Sequence, residues 1–479
     1  MWMSDTQARV GRVAAAIALF TTLLAAAPRA SADPDFAVPP PLKPPVDFWV
    51  SIFATYGQRQ VVIHDTERLD RVYSVLDLSA LDREGLSEMQ IELTMKSEED
   101  AEKARIRTLL RRLDQLDPRT DYLTQEEQRV VALFADGRSP TKFSDAAAED
   151  RVRGQRGLRE RFAHGVQVAH AYFPSMEQIF HQEGVPLEIT RLPLVESCFN
   201  VHAYSKVGAA GVWQFMPGTA RNFMRVDGAV DERLDPIVST RAAARFMRQN
   251  YDRLGTWPLA IKAYNHGPAG IARAVRETGT TDVATIIQNY HGPAYKFASR
   301  NFYPEFLAAL QVERNYRKYF GDLALDPPLA ADTIDLAQHT TITAAARCAG
   351  TDPWEIASLN PSLLPPVHAG QRPIPPGYQL RLPRGTGDRF RSCVASLPPP
   401  RQVAGLTAGA RRAAVRAASG RMVTTSRARQ THVVHKVRSG QTLSQIASLY
   451  GCSVEEIRRG NRIKGNKIHA GQMLRIPTS

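Results

Sequence analysis

A chain of 479 residues, 43% apolar and 23% charged, is too long for one ordinary core and too apolar to stay disordered, so two to four folded modules are expected. Its formal charge of +13 and pI near 9.7 favour anionic polymers. Charge alone does not choose among nucleic acid, wall polymer and lipid headgroups.

Arg9 and Arg12 precede an apolar run at 13–27, whose fifteen residues are short for a bilayer span. Ala30-Ser31-Ala32 then offers a small-residue cleavage site, so residues 1–32 read as a secretory signal peptide, a short membrane anchor being the competing reading. No Cys follows the run to accept lipid. Export to the periplasm or cell envelope sets nucleic acid aside as a partner and permits disulfides. Cys348 and Cys393 bracket one segment and could pair; four free buried thiols fit as well. No His/Cys cluster has metal spacing, so no metal and no other cofactor is expected.

Residues 33–46, with Pro39-Pro40-Pro41 and Pro44-Pro45, read as a stiff extended connector. Residues 47–165 carry helical spacing, clearest at 100–116, where Ile106, Leu109, Leu110 and Leu113 fall on one face. A helical packing region with no chemistry is expected there.

Residues 166–320 hold many aromatics and sharp turns. Helices are expected at 166–183, 186–198, 217–224, 239–254, 257–264, 268–277 and 299–319, with a kink or restart at Pro193. Gly208 and Gly211 permit a tight hairpin between them. Glu196 is a lone carboxylate flanked by Val195, Ser197, Cys198 and Phe199; the next acid is Asp227. Against walls such as Val212, Trp213, Phe215 and Met216 its proton would be held tightly, which a general acid needs. By itself such a Glu is more often a buried ion-pair partner than a catalyst. Asp227, Asp231 and Asp235 read as a solvated loop with helix caps; one reaching the groove could activate water.

The ordered set VES, SKVGAAG running into VWQFMP, AYNHGP and FYPEFLAAL resembles the catalytic domain of soluble lytic transglycosylases, and LPLVES together with the tail described below resembles the membrane-bound lytic murein transglycosylase D type. The resemblance implies a mainly α, lysozyme-like α+β domain of the goose type that cleaves the MurNAc-β-1,4-GlcNAc bond of peptidoglycan without water. It implies Glu196 as acid and then base, with Ser205, Gln214, Met216, Tyr264, Asn265 and Tyr303 contacting sugar or supporting the site; Tyr303 matches the tyrosine that bonds the catalytic carboxyl. Cys198 and Trp213 depart from the usual residues, which affects groove shape more than chemistry. Two other readings remain: a muramidase-type hydrolase of the same fold, and a non-enzymatic wall-binding protein.

Residues 394–432 hold seven arginines after Pro400 and no acid. They read as a basic disordered linker that offers a surface to anionic wall polymer or membrane headgroups. Residues 433–479 regain order: an alternating strand, Thr442 and Ser453 as helix caps, and a closing strand. With VRSGQTL, IASLYG, IRRGN and GQMLRIP this βααβ pattern resembles a LysM domain, which implies binding of N-acetylglucosamine-containing glycan; Gly440, Gln441, Thr442, Asn461 and Ile468 are the candidate contacts from spacing. Residues 333–383 give a weaker echo, with Ile356 and Asn360 where Ile457 and Asn461 stand, but lack the SGQTL segment. This degenerate LysM-like module is not expected to bind glycan.

Overall fold

The computed structural model describes residues 36–117, 122–135, 139–396 and, with short gaps, 431–478. The expected signal peptide and most of the basic linker lie outside the described residues. Among the described residues helices dominate, with three small antiparallel sheets.

The proline-rich start is packed rather than extended. Pro44 and Pro45 occupy the first turn of α1 (Lys43–Ala54), where a missing N–H goes unnoticed. Phe36, Leu42 and Val46 are buried, and Phe36 meets Phe306 edge-on at 5.4 Å. Trp49 on α1 donates its indole N–H to Asn301 Oδ1 at 3.1 Å, fastening the helix to the centre of the molecule.

Region 47–165 is not all helical. β1 (Gln60–Asp65) is flanked antiparallel by β2 (Val72–Asp77) and β3 (Val152–Arg156). The run Val61-Val62-Ile63 is β-branched throughout and buried on both faces, which favours a central strand. α2 (Glu88–Gln115), opened by a Ser87/Gln90 capping box, covers the sheet with Ile91, Met95, Ile106, Leu110 and Leu113.

In the centre, the helix expected at 166–183 is two, α3 (Arg159–Ala169) and α4 (Phe173–Gln182), because Pro174 begins a new first turn. A 3-10 turn, Leu187–Arg191, leads into α5 (Leu192–Ser197), restarting at Pro193 as the sequence suggests. A short helix occupies Pro217–Ala220. α6 (Pro236–Leu254) starts before position 239 because Asp235 accepts from the N–H groups of Ile237 and Val238. α7 (Trp257–His266), capped by Thr256, and α8 (Pro268–Thr278) follow the expected pattern. α9 (Val283–Asn289) was not anticipated, and α10 (Phe297–Arg314) carries Pro304 inside it. One hydrophobic core joins α1 to helices α3 through α10.

A separate core lies under β4 (Ala331–Asp335), α11 (Ile342–Ala349), α12 (Pro353–Leu359), β5 (Gln379–Pro383) and α13 (Gly387–Ala395). A Cys348–Cys393 disulfide staples α11 to α13. The tail repeats the plan in β6 (Thr431–Lys436), helical residues near Ile446, α14 (Val454–Asn461) and β7 (Met473–Thr478). The two modules share one clamp. Asn360 Nδ2 donates to the carbonyls of Ile356 and Arg381 at 2.7 Å, and its Oδ1 accepts Arg381 N–H at 2.8 Å. Asn461 makes the same three bonds to Ile457 and Arg475, at 2.8, 2.7 and 2.6 Å.

Asn360 is fully buried. Asn360→Ala would strand its backbone partners, and the unfolding free energy in a urea titration should fall by about 2–3 kcal/mol.

Candidate active site

α5 is too short to shape a site alone; its C-terminal exit does. Cys198 and Phe199 both take left-handed φ, 48° and 53°, turning the chain sharply after Glu196. Gly165 allows the close approach of α3 that supports this exit: a Cβ there would lie 2.5 Å from Cys198 O. Ser197 Oγ donates to the carbonyls of Pro193 and Val212, tying the helix to the hairpin that follows.

The hairpin is built by its own turn chemistry. Ser205 Oγ accepts Ala209 N–H at 2.8 Å, and Ala210 bridges to Tyr204 and Phe215. Gln214 holds φ of 49° and donates Nε2–H to Gly211 O at 2.8 Å. Of the expected groove walls, Val212, Trp213 and Phe215 are buried in the core, because Trp213 stacks on Phe180 and bonds Thr240. Met216 is the one that faces solvent, 43% exposed.

Glu196 keeps part of its surface open while dense protein surrounds its carboxyl. Desolvation first, and the charge of Glu305 second, push it up to about 8. Tyr264 stands beside it: its hydroxyl donates to Trp213 O at 2.8 Å, and burial together with the Glu196 charge drives its own pKa far up. Asn265 is exposed and accepts from Ser299 Oγ at 3.3 Å, a loop fastening. Tyr303 is buried against Phe306, and among the described residues no hydrogen bond joins it to Glu196.

Four residues are not evident from the sequence. Glu305, two positions past Tyr303, is a second carboxyl, raised to about 8 by burial against the opposing pull of Lys262 and Arg153. Lys262, fully buried, is lowered to about 7 chiefly by desolvation; it bonds Ser299 O and lies 4.5 Å over the Tyr295 ring. Arg153 belongs to β3, so the N-terminal sheet reaches the electrostatics of the site. The fourth is Arg233, which fixes the hairpin. Its Nη1 donates to Gly208 O at 2.7 Å and Phe215 O at 3.0 Å, while Nε and Nη2 grip Asp231 at 2.9 and 2.7 Å.

The acidic loop is therefore largely not solvated. Asp231 and Asp235 are buried and occupied by Arg233 and Arg381; Asp227 alone is near the surface, capping Ala229 and Val230. In the tail, Gly440 and Gln441 lie outside the described residues, and Thr442 is exposed. Asn461 is engaged in its clamp through both amide hydrogens and its Oδ1. Ile468 is half-buried against the tail core. Two clefts, about 470 and 530 Å³, lie elsewhere, lined around Arg68 and Arg300 and around Arg59 and Glu160.

Residues 177–287 match the model of the transglycosylase SLT domain, and residues 435–477 that of the LysM domain. The membrane-bound lytic murein transglycosylase D of Escherichia coli (strain K12) is 27% identical over 334 residues, 68% of this chain and 69% of its own. Among solved structures, a lytic transglycosylase Slt from Pseudomonas aeruginosa aligns with 42% of this chain at 20% identity and a TM-score of 0.28. The 70 kDa soluble lytic transglycosylase of Escherichia coli aligns with 47% at 17% identity and a TM-score of 0.27. The chain spans only 31% and 44% of those two proteins.

The raised carboxyl has consequences for both rate and stability. A reaction needing protonated Glu196 should lose kcat/KM as pH rises through about 8. Glu305→Gln removes a like charge, so that limb of the profile should move to lower pH. The unfolded carboxyl ionises near 4.5 and the folded one near 8, so folding stability drains away as pH climbs between these values. Glu196→Gln should therefore raise the unfolding free energy at neutral pH by roughly 1–3 kcal/mol, and the gain should vanish near pH 4.5.

Proposed function

We propose that this chain, which carries a transglycosylase SLT domain and a C-terminal LysM domain, is an exported lytic transglycosylase of peptidoglycan that forms 1,6-anhydro-MurNAc ends. The observation that carries the reading is one carboxyl, on a half-buried residue, held protonated near neutral pH inside the matched domain.

Glu196 gives its proton to the oxygen bridging C1 of MurNAc and C4 of GlcNAc, and the C1–O bond breaks. The 2-acetamido oxygen of the same MurNAc supports C1 as positive charge develops. Glu196, now carboxylate, takes the proton of the C6 hydroxyl while O6 bonds to C1. The carboxyl returns to its starting state and no water enters. An intramolecular nucleophile supplies the effective concentration that a second protein carboxylate would otherwise provide.

The placement of the other acids supports the water-free route. An inverting hydrolase needs a second, ionised carboxylate to activate water on the opposite face of the sugar. Asp231 and Asp235 are locked by arginines, and Glu305 holds its proton up to about 8. Ser205, Gln214, Met216 and Tyr264 surround the reacting sugar in this reading. The LysM tail keeps the enzyme on its polymer, raising the local substrate concentration. The apolar N-terminal run directs export, and the arginine-rich segment before the tail favours anionic wall or headgroups.

Mass spectrometry of digested sacculi decides the reaction: anhydro ends are lighter by one water than hydrolytic ends, and hydrolytic products would overturn the mechanism. Glu196→Gln should abolish release of soluble fragments, by a factor of at least about 10², while the protein still sediments with sacculi.

A further inference from the structure

The loop from Asn461 to Ile468 is one of the two that spacing in the tail offers to glycan. Its counterpart in the first module follows Asn360, and there it is already covered. Asp231 N–H donates to Ser362 O at 2.8 Å, Leu364 N–H donates to Ala229 O at 2.9 Å, and Val230 bridges antiparallel to Leu363. Ala229 and Val230 are part of the module's own core. A two-pronged buried ion pair seals the edge: Arg381 of β5 donates to both oxygens of Asp235, at 2.6 and 2.8 Å. Arg381 is also the residue whose backbone the Asn360 clamp holds.

The covered segment leads straight to the hairpin beside Glu196. Asp231, anchored to Ser362 through its backbone, presents both carboxylate oxygens to Arg233 and also accepts from the Tyr204 hydroxyl at 3.3 Å. Arg233 passes its remaining donors to Gly208 O and Phe215 O, the two limbs of the hairpin. The fit is close: a Cβ on Gly211 would lie 1.7 Å from Arg233 O.

We infer that the module at 331–396 is a brace rather than a glycan binder, and that Arg233 is the positioning residue through which it fixes the sugar-facing hairpin at 205–216. One planar fork bridges two carbonyls and a carboxylate, so hairpin, acidic loop and module move as one body. The inference rests on Glu196 being the acid/base of the proposed reaction.

The test uses the full chain with soluble glycan strands. Arg233→Lys keeps the charge and loses the fork; Arg381→Met unseals the brace without touching the hairpin. Each should lower kcat roughly tenfold or more while KM stays within about twofold, the signature of a misplaced catalytic frame. Unchanged kcat in folded Arg233→Lys protein would overturn the inference. So would a rise in KM at intact kcat in Arg381→Met, which would mark the module as a glycan surface. Should Arg381→Met not fold, Arg381→Lys, which holds Asp235 by a single prong, gives the same reading. Failure of the underlying reaction shows up separately, as wild-type protein that releases no anhydro ends.

Discussion

The structure is organised around keeping one carboxyl dry without closing it off. Taking an ionised carboxylate out of water is costly, so the proton stays on Glu196 unless something compensates, and among the described residues no cation is placed to do so. The neighbours that matter are a second acid, Glu305, and a tyrosine whose hydroxyl points to a backbone carbonyl. Lys262 is close enough to act on Glu305, but desolvation weakens its charge as well. A site of this kind trades folding stability for a proton available near neutrality.

Around that centre, backbone geometry does what side chains often do in larger sites. Three residues other than glycine sit at left-handed φ in the exit of α5 and in the hairpin: Cys198, Phe199 and Gln214. Each conformation persists because its surroundings over-determine it. Ser197 links the helix to Val212, Tyr264 holds Trp213, and Arg233 spans Gly208 and Phe215. Most of the polar atoms expected to greet a sugar are partly engaged in holding this frame, Ser205 and Gln214 among them.

Local signals were legible in the sequence. The restart at Pro193, Ser453 as a cap, and paired glycines in a hairpin all act through the backbone within a few residues, so the sequence displays them directly. The repeated Asn at 360 and 461 was visible as spacing, although not as a clamp that takes up its amide. What stayed hidden was tertiary. Glu305 sits in an apolar helix where a lone acid looks like a surface residue. Arg233, flanked by acids in a loop, looks solvated until the fold buries it. The sheet in 47–165 was masked by the long helix that dominates the region's periodicity.

The ion pair between Asp235 and Arg381 also bears on where this protein can be cut. The matched catalytic segment ends at 287, and the helices beside it end by 320. A truncation at either border would leave a buried carboxylate without its counter-ion and bare the apolar patch at Ala229 and Val230. The folded unit that holds the catalytic segment therefore extends to the cystine at 393, well past the end of the matched SLT segment.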